Sequence, residues 1–256
     1  MIHPTAIISE SAQIASDVTI GPYSVIGEHV TIGSGTVIQS HVVIGKNAWI
    51  GKNNHIFQFS SIGETPIDRT FHGEFSQLIM GNNNIVREGA TIHGGTAKEQ
   101  GITKIGDANL FMNYIHIGHD CQLGNHITLV NNANLAGHVR VADHATIGAN
   151  VGVHQFCQVG AYAFIAHLAL IVQDIPAFLM VSGGPTSPSG VNTEGMKRAG
   201  FSTETIRAVR EAYKLLYRKG LRLVEAIDAI EKLQQEHPEL QHMLSILKNT
   251  QRGIVR

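Results

Sequence analysis

The sequence predicts a mainly β fold, in which the chain winds as a triangular coil of short parallel strands and ends in a small helical domain. Isoleucine recurs every six residues from Ile8 to Ile62, ten times without a break. After two interruptions, apolar residues keep the same spacing from Ile105 to Ile171. A period of six matches neither a helical face nor an alternating strand, whereas a coil with three six-residue sides accounts for it.

Each six-residue unit is expected to form one short strand and one corner, so that 18 residues complete a turn. The first residue of the unit points inward, and the fifth is usually small, as in Ser24, Ala48 and Ala133. Glycine in the second position leaves the backbone room at the corner, and asparagine in the third and fourth tolerates the left-handed conformation. Successive turns pair at the strand spacing of about 4.8 Å, which stacks the inward residues into one core.

The coil is predicted to cover residues 1–190 as one β-helical domain. Two stretches without the period, 63–78 and 94–103, are expected to loop out. Insertions of this kind often build the binding site of a repeat protein. Glycine and proline are concentrated at 183–188, which is interpreted as a linker after the coil.

The remainder, 191–256, is predicted to be an α-helical C-terminal domain. Ser202 is expected to cap a helix over 202–219, because apolar residues then recur at helical spacing. Further helices are predicted over 222–236 and 239–250, separated by a proline.

The composition excludes several functional classes. Charged residues make up 15% of the chain, against roughly 25% in an ordinary soluble domain, and the net charge is −1. This charge favours neither nucleic acid nor an anionic membrane as a partner. No uncharged apolar run reaches the roughly 18 residues of a membrane span, and the start of the chain lacks the pattern of a secretory signal. We therefore expect a cytoplasmic protein.

Stacking by 18 residues places chemically useful side chains together. His119 falls below Gly137 and Gln155, while Asp120 falls below His138. A carboxylate beside an imidazole orients the ring, as a general base requires. The N–H of Gly137 is unobstructed by a side chain, which suits it to stabilise an oxyanion. These residues are the candidate active site.

A structural role is the alternative for each histidine, since histidine also occupies ordinary corners of such coils. His126 and His144 are one turn apart, and we expect them to be only a stacked surface pair. His116 and His154 are close to the candidate site in turn count. A cluster of several histidines with an adjacent aspartate is what favours chemistry over structure there.

The two cysteines are expected to be buried thiols. Cys121 and Cys157 both fill the small fifth position of a unit and are two turns apart. Two turns correspond to about 9.6 Å at the strand spacing. A disulfide requires Cα atoms within roughly 7 Å.

The six-residue period resembles the hexapeptide-repeat family, whose members form left-handed parallel β-helices and usually assemble as trimers. The resemblance implies the left hand, because parallel crossovers are otherwise right-handed. Some members are zinc carbonic anhydrases with two ligands five residues apart. No histidine follows His116, His119, His138 or His154 by five residues, so no metal is expected.

A closer resemblance, over the whole chain, is to the UDP-N-acetylglucosamine O-acyltransferases that begin lipid A synthesis. It rests on five strings. They are His-Ile-Gly-His-Asp-Cys at 116–121, Leu-Ala-Gly-His-Val at 135–139, Val-His-Gln-Phe-Cys at 153–157, Gly-Val-Asn-Thr-Glu-Gly-Met-Lys-Arg at 190–198 and Arg-Gly-Ile-Val-Arg at 252–256.

This resemblance implies a mechanism. His119 would be the general base, supported by Asp120, and would deprotonate the 3-hydroxyl of the glucosamine unit. The oxygen would attack the thioester of a 3-hydroxyacyl chain on acyl carrier protein, with Gly137 N–H as oxyanion donor, no covalent acyl-enzyme and no cofactor. The site would lie between the subunits of a homotrimer. The positions that line the substrate are Asp68, His93, His116, His138, His154 and Gln155, and those at the nucleotide end are Asn192, Glu194 and Arg198.

Three residues depart from the family pattern on the substrate side. Thr70 stands where a substrate-contacting lysine is usual, with the adjacent Arg69 as the alternative cation. Gly94 stands where arginine is common, and Ala199 replaces one of a basic pair. These departures put affinity for the sugar nucleotide or carrier in question. His167 occupies the acyl-chain ruler position, where a bulky side chain shortens the groove. The resemblance therefore predicts a donor chain of about ten to twelve carbons.

The helical tail carries a basic excess. Between residues 197 and 222 there are eight Lys or Arg against two Glu. A solvated helix face is one interpretation, and a docking surface for an acidic carrier protein is the other, which the resemblance favours.

Two rival functions fit parts of this sequence pattern. The related N-acyltransferase of the same pathway acts on an amino sugar, but normally carries an additional N-terminal domain, whereas the repeats here begin within ten residues. The other rival is a non-enzymatic assembly scaffold. Whether the acylated position bears oxygen or nitrogen is left open.

Overall fold

The protein is a parallel β-helix capped by helices, and the computed structural model describes all 256 residues. The first strands are β1 (Ile7–Ile8), β2 (Gln13–Ile14), β3 (Thr19–Ile20), β4 (Val25–Ile26), β5 (Thr31–Ile32), β6 (Val37–Ile38), β7 (Val43–Ile44), β8 (Trp49–Ile50), β9 (His55–Ile56), β10 (Ser61–Glu64), β11 (Gln77–Met80), β12 (Ile85–Val86), β13 (Thr91–His93) and β14 (Ile102–Ile105). The chain continues with β15 (Leu110–Phe111), β16 (His116–Ile117), β17 (Gln122–Leu123), β18 (Thr128–Leu129), β19 (Asn134–Leu135), β20 (Arg140–Val141), β21 (Thr146–Ile147), β22 (Gly152–Val153), β23 (Gln158–Val159), β24 (Phe164–Ile165), β25 (Leu170–Ile171), β26 (Leu179–Ser182) and β27 (Ser187–Val191).

As far as β25, every third strand belongs to the same face, and with β26 and β27 added to one of them the three sheets have nine, eight and ten strands. The two-residue strands pair in parallel, and Thr19 faces Val37 as the predicted turn of 18 residues requires. The inward residue is buried in the coil strands from β3 onward and partly buried in β1 and β2, and the isoleucines from Ile20 to Ile62 have at most 1% of their surface exposed. The predicted core is therefore observed.

The two insertions are shorter than predicted, because their ends extend neighbouring strands. The four residues of β11 pair along their whole length with β14. The segments that leave the coil are thus 65–76, the first loop, and 94–101, the second loop. Above them the coil resumes, and His116 pairs with Thr91.

Most corners place a non-glycine residue at positive φ in the fourth position of the unit. Asparagine occupies several of these positions, as predicted, but aromatic residues occupy others and stack from turn to turn. The rings of His126 and His144 are 4.7 Å apart and nearly parallel, and Tyr162 and Phe178 continue this column. The predicted surface pair is confirmed as part of a longer stack.

The segment predicted to be a linker is a β-hairpin instead. Strands β26 and β27 pair antiparallel, and only the turn at 183–186 separates them. Main-chain pairing with the last sheet satisfies the backbone there, a long-range effect that the local glycine and proline content does not report.

The C-terminal part contains α1 (Thr193–Arg198), α2 (Thr203–Tyr217), α3 (Leu223–Gln234), a 3₁₀ turn at Pro238–Leu240 and α4 (Gln241–Asn249). Ser202 caps α2 by accepting a hydrogen bond from the N–H of Thr205 at 3.0 Å, as predicted. Helix α1 was not predicted as a separate element. None of these helices has the length and apolarity needed to cross a membrane.

The end of the chain is fastened to the coil at Asp174, which is fully buried. The N–H of Asp174 donates to Gly253, and the N–H of Val255 donates back to its carbonyl. The hydroxyl of Thr250 donates to the Asp174 carboxylate at 2.6 Å. These bonds hold the last residues against the coil.

Candidate active site

The histidine and aspartate that follow β16, His119 and Asp120, form a hydrogen-bonded dyad. Nδ1–H of His119 donates to Oδ2 of Asp120 at 2.8 Å. The Asp120 carboxylate is completely buried, whereas 14% of the His119 side chain is exposed. Since the carboxylate holds Nδ1, Nε2 is the nitrogen left to accept a proton from a substrate.

Two threonines hold Asp120 in place. The N–H of Thr96 donates to Oδ1 at 2.7 Å, and its hydroxyl donates to Oδ2 at 2.7 Å. The N–H of Asp120 itself donates to the hydroxyl of Thr103 at 2.8 Å. Burial by itself raises the pKa of Asp120, but the hydrogen bonds from His119 and Thr96 outweigh it and hold that pKa below its ordinary value. The carboxylate is therefore ionised and fixed.

His138 lies one turn above Asp120, as the 18-residue count predicted. Its Nε2 is 3.7 Å from Oδ2 of Asp120, and its Nδ1–H donates to Glu99 at 3.0 Å. Its ring meets His119 edge-on at 5.1 Å and stacks on Phe156 at 4.3 Å. The ring is thus held on its face, at one edge and at Nδ1, whereas Nε2 forms no hydrogen bond within the chain.

Gly137 lies directly against the candidate base. A Cβ at this position would be 2.6 Å from Cε1 and 2.7 Å from Nε2 of His119. The imidazole occupies the space that any larger residue would fill. The N–H of Gly137 has no hydrogen-bond partner within the chain, which leaves it free to bind an oxygen atom of a substrate.

A second pair of histidines lies below the first. His93 is 9% exposed, and its Nδ1–H donates to the carbonyl of Thr65 at 2.8 Å. The ring of His116 is 5.3 Å from that of His93, and its Nδ1 is hydrogen-bonded to Thr91 at 2.9 Å. Burial lowers the pKa of His116, with smaller contributions from the neighbouring histidines, so this ring is neutral near pH 7.

Asp68 connects the two loops. Its Oδ1 accepts hydrogen bonds from the N–H and the hydroxyl of Thr70 at 2.8 Å, and its Oδ2 accepts from Nζ of Lys98 at 2.6 Å. The hydrogen bonds from Lys98 and Thr70 hold the pKa of Asp68 well below its ordinary value. Lys98 of the second loop thus places a cation on the carboxylate that also binds Thr70.

The second loop supplies three residues that sequence reasoning missed. Thr96 holds Asp120, Lys98 holds Asp68, and Glu99 holds His138. The sequence pointed to this loop only through the general rule that insertions often build binding sites. Its individual contacts could not be predicted, because a segment without the six-residue period has no register that places its residues.

Other predicted site residues do not contact the dyad within the chain. His154 is exposed, and its Nδ1–H donates to the carbonyl of the neighbouring Gln155, also exposed, at 3.2 Å. His167 is exposed at a corner beyond β24. Their roles remain predictions.

The residues predicted for the nucleotide end lie at helix α1. Asn192 caps this helix through Gly195 and also donates to the carbonyl of Tyr162 at 2.9 Å. Glu194 pairs with Lys197 at 2.8 Å, and Arg198 is exposed. Within one chain these three predicted residues are separate from the dyad.

The dyad and His138 also offer three ligand atoms within 4.8 Å of one another, a spacing that a metal ion could use. Both oxygens of Asp120 already accept hydrogen bonds from Thr96, and one accepts from His119 as well. A metal ion would have to replace these donors. The donor set fits a hydrogen-bonded dyad better than a metal centre.

The basic excess of the tail is partly neutralised. Lys197, Lys214 and Arg222 each pair with a glutamate three residues away. The remaining cations of this stretch form no ion pair. They are Arg198, Arg207, Arg210, Arg218 and Lys219.

The coil of six-residue units and its oriented dyad define the class of hexapeptide-repeat transferases. The model described as bacterial transferase hexapeptide (six repeats) matches residues 11–46, and the model for UDP-N-acetylglucosamine O-acyltransferase, domain 2, matches residues 174–255. An acyl-[acyl-carrier-protein]–UDP-N-acetylglucosamine O-acyltransferase from Saccharophagus degradans is 49% identical over 100% of this chain and 99% of its own.

Solved structures agree. The UDP-N-acetylglucosamine acyltransferase of Francisella novicida is 52% identical, with a TM-score of 0.99 over 100% of this chain and 94% of that one. LpxA from Acinetobacter baumannii is 49% identical, with a TM-score of 0.98 over 100% and 99%. The chain belongs to the UDP-N-acetylglucosamine O-acyltransferase family. The predicted left-handed β-helix with a helical C-terminal region is confirmed.

Proposed function

We propose that this enzyme transfers a 3-hydroxyacyl chain from acyl carrier protein to the 3-hydroxyl of UDP-N-acetylglucosamine, the first step of lipid A biosynthesis. The observation that carries the proposal is the dyad of His119 and a fully buried Asp120 beside the unpartnered N–H of Gly137. Family membership supports the substrates, since the relatives are named for them.

The reaction is a direct acyl transfer. Nε2 of His119 accepts the proton of the sugar 3-hydroxyl while its oxygen attacks the thioester carbon. The charge that develops on the carbonyl oxygen is stabilised by the N–H of Gly137. The tetrahedral intermediate then expels the carrier thiolate, which takes the proton back from His119.

No covalent acyl-enzyme and no cofactor enters this scheme. Cys121 and Cys157 are completely buried, and burial raises the pKa values of their thiols to about 12 and about 11. Neither thiol is therefore available as a nucleophile. A metal ion is not needed for the step, because Asp120 already orients His119 through a direct hydrogen bond.

We propose a homotrimer with the site between subunits, working in the cytoplasm. The separation of Asn192, Glu194 and Arg198 from the dyad within one chain supports a site to which a second subunit contributes these residues. Three apolar side chains left exposed on the coil provide surface for such contacts. They are Leu168, which is 70% exposed, Leu170, which is 62% exposed, and Val172, which is 51% exposed. The free cysteines are usual in a reducing compartment.

The donor partner is proposed to dock on the tail. The unpaired cations on and around α2 present a positive surface, which complements an acidic carrier protein. His167 is proposed to limit the acyl chain to about ten to twelve carbons, because it occupies the position of the acyl-chain ruler in the family that this sequence resembles.

The test is transfer by the purified protein from carrier-linked 3-hydroxyacyl chains to UDP-N-acetylglucosamine, followed by mass spectrometry. His119→Ala is expected to lower kcat by about 10²–10⁴-fold, the range of general-base catalysis. His126→Ala is the matched control, because His126 is a corner histidine in the surface stack. Full activity of a correctly assembled His119→Ala protein, or transfer only to an amino-sugar analogue, would contradict the proposal.

A further inference from the structure

Glu99 of the second loop reaches into the dyad's surroundings. Its Oε1 accepts the Nδ1–H of His138 at 3.0 Å. The His138 side chain is 5% exposed, whereas that of Glu99 is 32% exposed. A buried imidazole is thus held from the solvent side by a carboxylate that the coil itself does not supply.

His138 and His119 face the same oxygen atom. Oδ2 of Asp120 is 2.8 Å from Nδ1 of His119 but 3.7 Å from Nε2 of His138. The first distance is a hydrogen bond, and the second is beyond hydrogen-bonding range. The four groups form one row, in the order Glu99, His138, Asp120 and His119.

Resting on the function proposed above, we propose that Glu99 is a positioning residue for the transfer reaction and acts through His138. Its bond to Nδ1 holds the ring short of Asp120 and reserves Oδ2 for His119. Asp120 Oδ2 already accepts from Thr96 and His119, so a further donor would compete with the base for the same oxygen.

Loss of Glu99 removes the partner of a buried Nδ1–H, and a buried donor without a partner is costly. The neutral ring then carries its proton on Nε2, the nitrogen that faces Oδ2 of Asp120 at 3.7 Å. A shift of roughly half an ångström would bring Nε2 within the usual hydrogen-bond range of about 3.2 Å. The bond that orients His119 would weaken, which slows proton transfer and leaves substrate binding unchanged.

The experiment compares Glu99→Ala, Glu99→Gln and Gln100→Ala in steady-state transfer. We expect Glu99→Ala to lower kcat about tenfold with little change in KM, a coupling typical of residues in one network. Glu99→Gln should stay close to wild type, because its amide oxygen accepts the same bond. Gln100→Ala is the control, since Gln100 is an exposed neighbour in the same loop.

A double-mutant cycle identifies the route. In a His138→Phe background, Glu99→Ala should have no further effect if Glu99 acts only through His138. Equal kcat values for Glu99→Ala and the wild type, or an unchanged tenfold effect in the His138→Phe background, would overturn the inference.

A crystal structure of Glu99→Ala tests the inference without turnover. His138 Nε2 is expected within hydrogen-bond distance of Asp120. A His138 ring that has not moved would overturn the inference, whatever the transfer assay of the wild type shows. An active wild type with an inactive His119→Ala variant supports the proposed function independently. The two proposals can therefore fail separately.

Discussion

Replacing Gly137 with alanine isolates the contact between this glycine and the candidate base. The φ angle of Gly137 lies outside the left-handed region, so the backbone accepts an alanine there without strain. The three atoms nearest to the added Cβ all belong to the His119 side chain, with Cε1 at 2.6 Å and Nε2 at 2.7 Å. The perturbation therefore falls on the imidazole and spares the fold.

The size of the effect follows from these distances. Comfortable contact between carbon atoms begins at about 3.5 Å, so the His119 ring must move by roughly 1 Å. A misplacement of about 1 Å at a catalytic group costs on the order of 10²-fold in rate. We expect kcat of Gly137→Ala to fall about 100-fold, while the free energy of unfolding changes by no more than about 1 kcal/mol.

The assay is steady-state transfer to UDP-N-acetylglucosamine, with thermal unfolding measured on the same samples. Gly152→Ala is the matched control, because a Cβ there meets only Cδ1 of Leu170 at an ordinary 3.4 Å. If Gly137→Ala kept the wild-type kcat, the conclusion that the His119 ring needs the space left by Gly137 would be refuted. A large fall in kcat of the control would show that the coil tolerates no alanine.

Three further predictions concern binding, specificity and thiol reactivity. Lys98→Ala removes the cation on Asp68 and should raise KM for UDP-N-acetylglucosamine about fivefold at similar kcat. Adding Thr70→Lys to this variant should restore KM. An unchanged KM in Lys98→Ala would contradict a role of Lys98 in binding the sugar nucleotide. His167→Gly should shift the preferred donor towards fourteen carbons, by the family resemblance, in a competition assay of carrier-linked chains; the same preference as wild type would refute the ruler assignment. The pKa values of Cys121 and Cys157 are raised to about 12 and about 11, so at pH 8 the native thiols are un-ionised and shielded. A thiol-specific chromogenic reagent should label them at least about 100-fold more slowly than in the unfolded chain, and rapid native labelling would contradict their burial.

The contacts around the dyad could be predicted by counting residues along the repeat. An 18-residue turn places His138 over Asp120 and Gly137 over His119, and the structure has these contacts. The period specifies register because each turn contacts only its neighbours, so a position in the sequence translates directly into a position in space. The stacked His126 and His144 follow from the same rule.

The hairpin at the end of the coil illustrates where local reasoning stops. Glycine and proline at 183–188 favour a loop, yet Ser187–Val191 forms a strand. Its partner, β26, supplies main-chain hydrogen bonds. Backbone pairing depends on what lies alongside, which composition does not encode.

From the sequence alone came the β-helix, its core, and the His119–Asp120–His138 cluster with Gly137, because all of these repeat or stack with the period. The helical tail also came from the sequence, because its apolar residues recur at helical spacing. Only the tertiary structure decided how that cluster is supported. Thr96, Lys98 and Glu99 reach residues 24, 30 and 39 positions away in the chain. The second loop has no period, so its contacts depend on how it folds back over the coil.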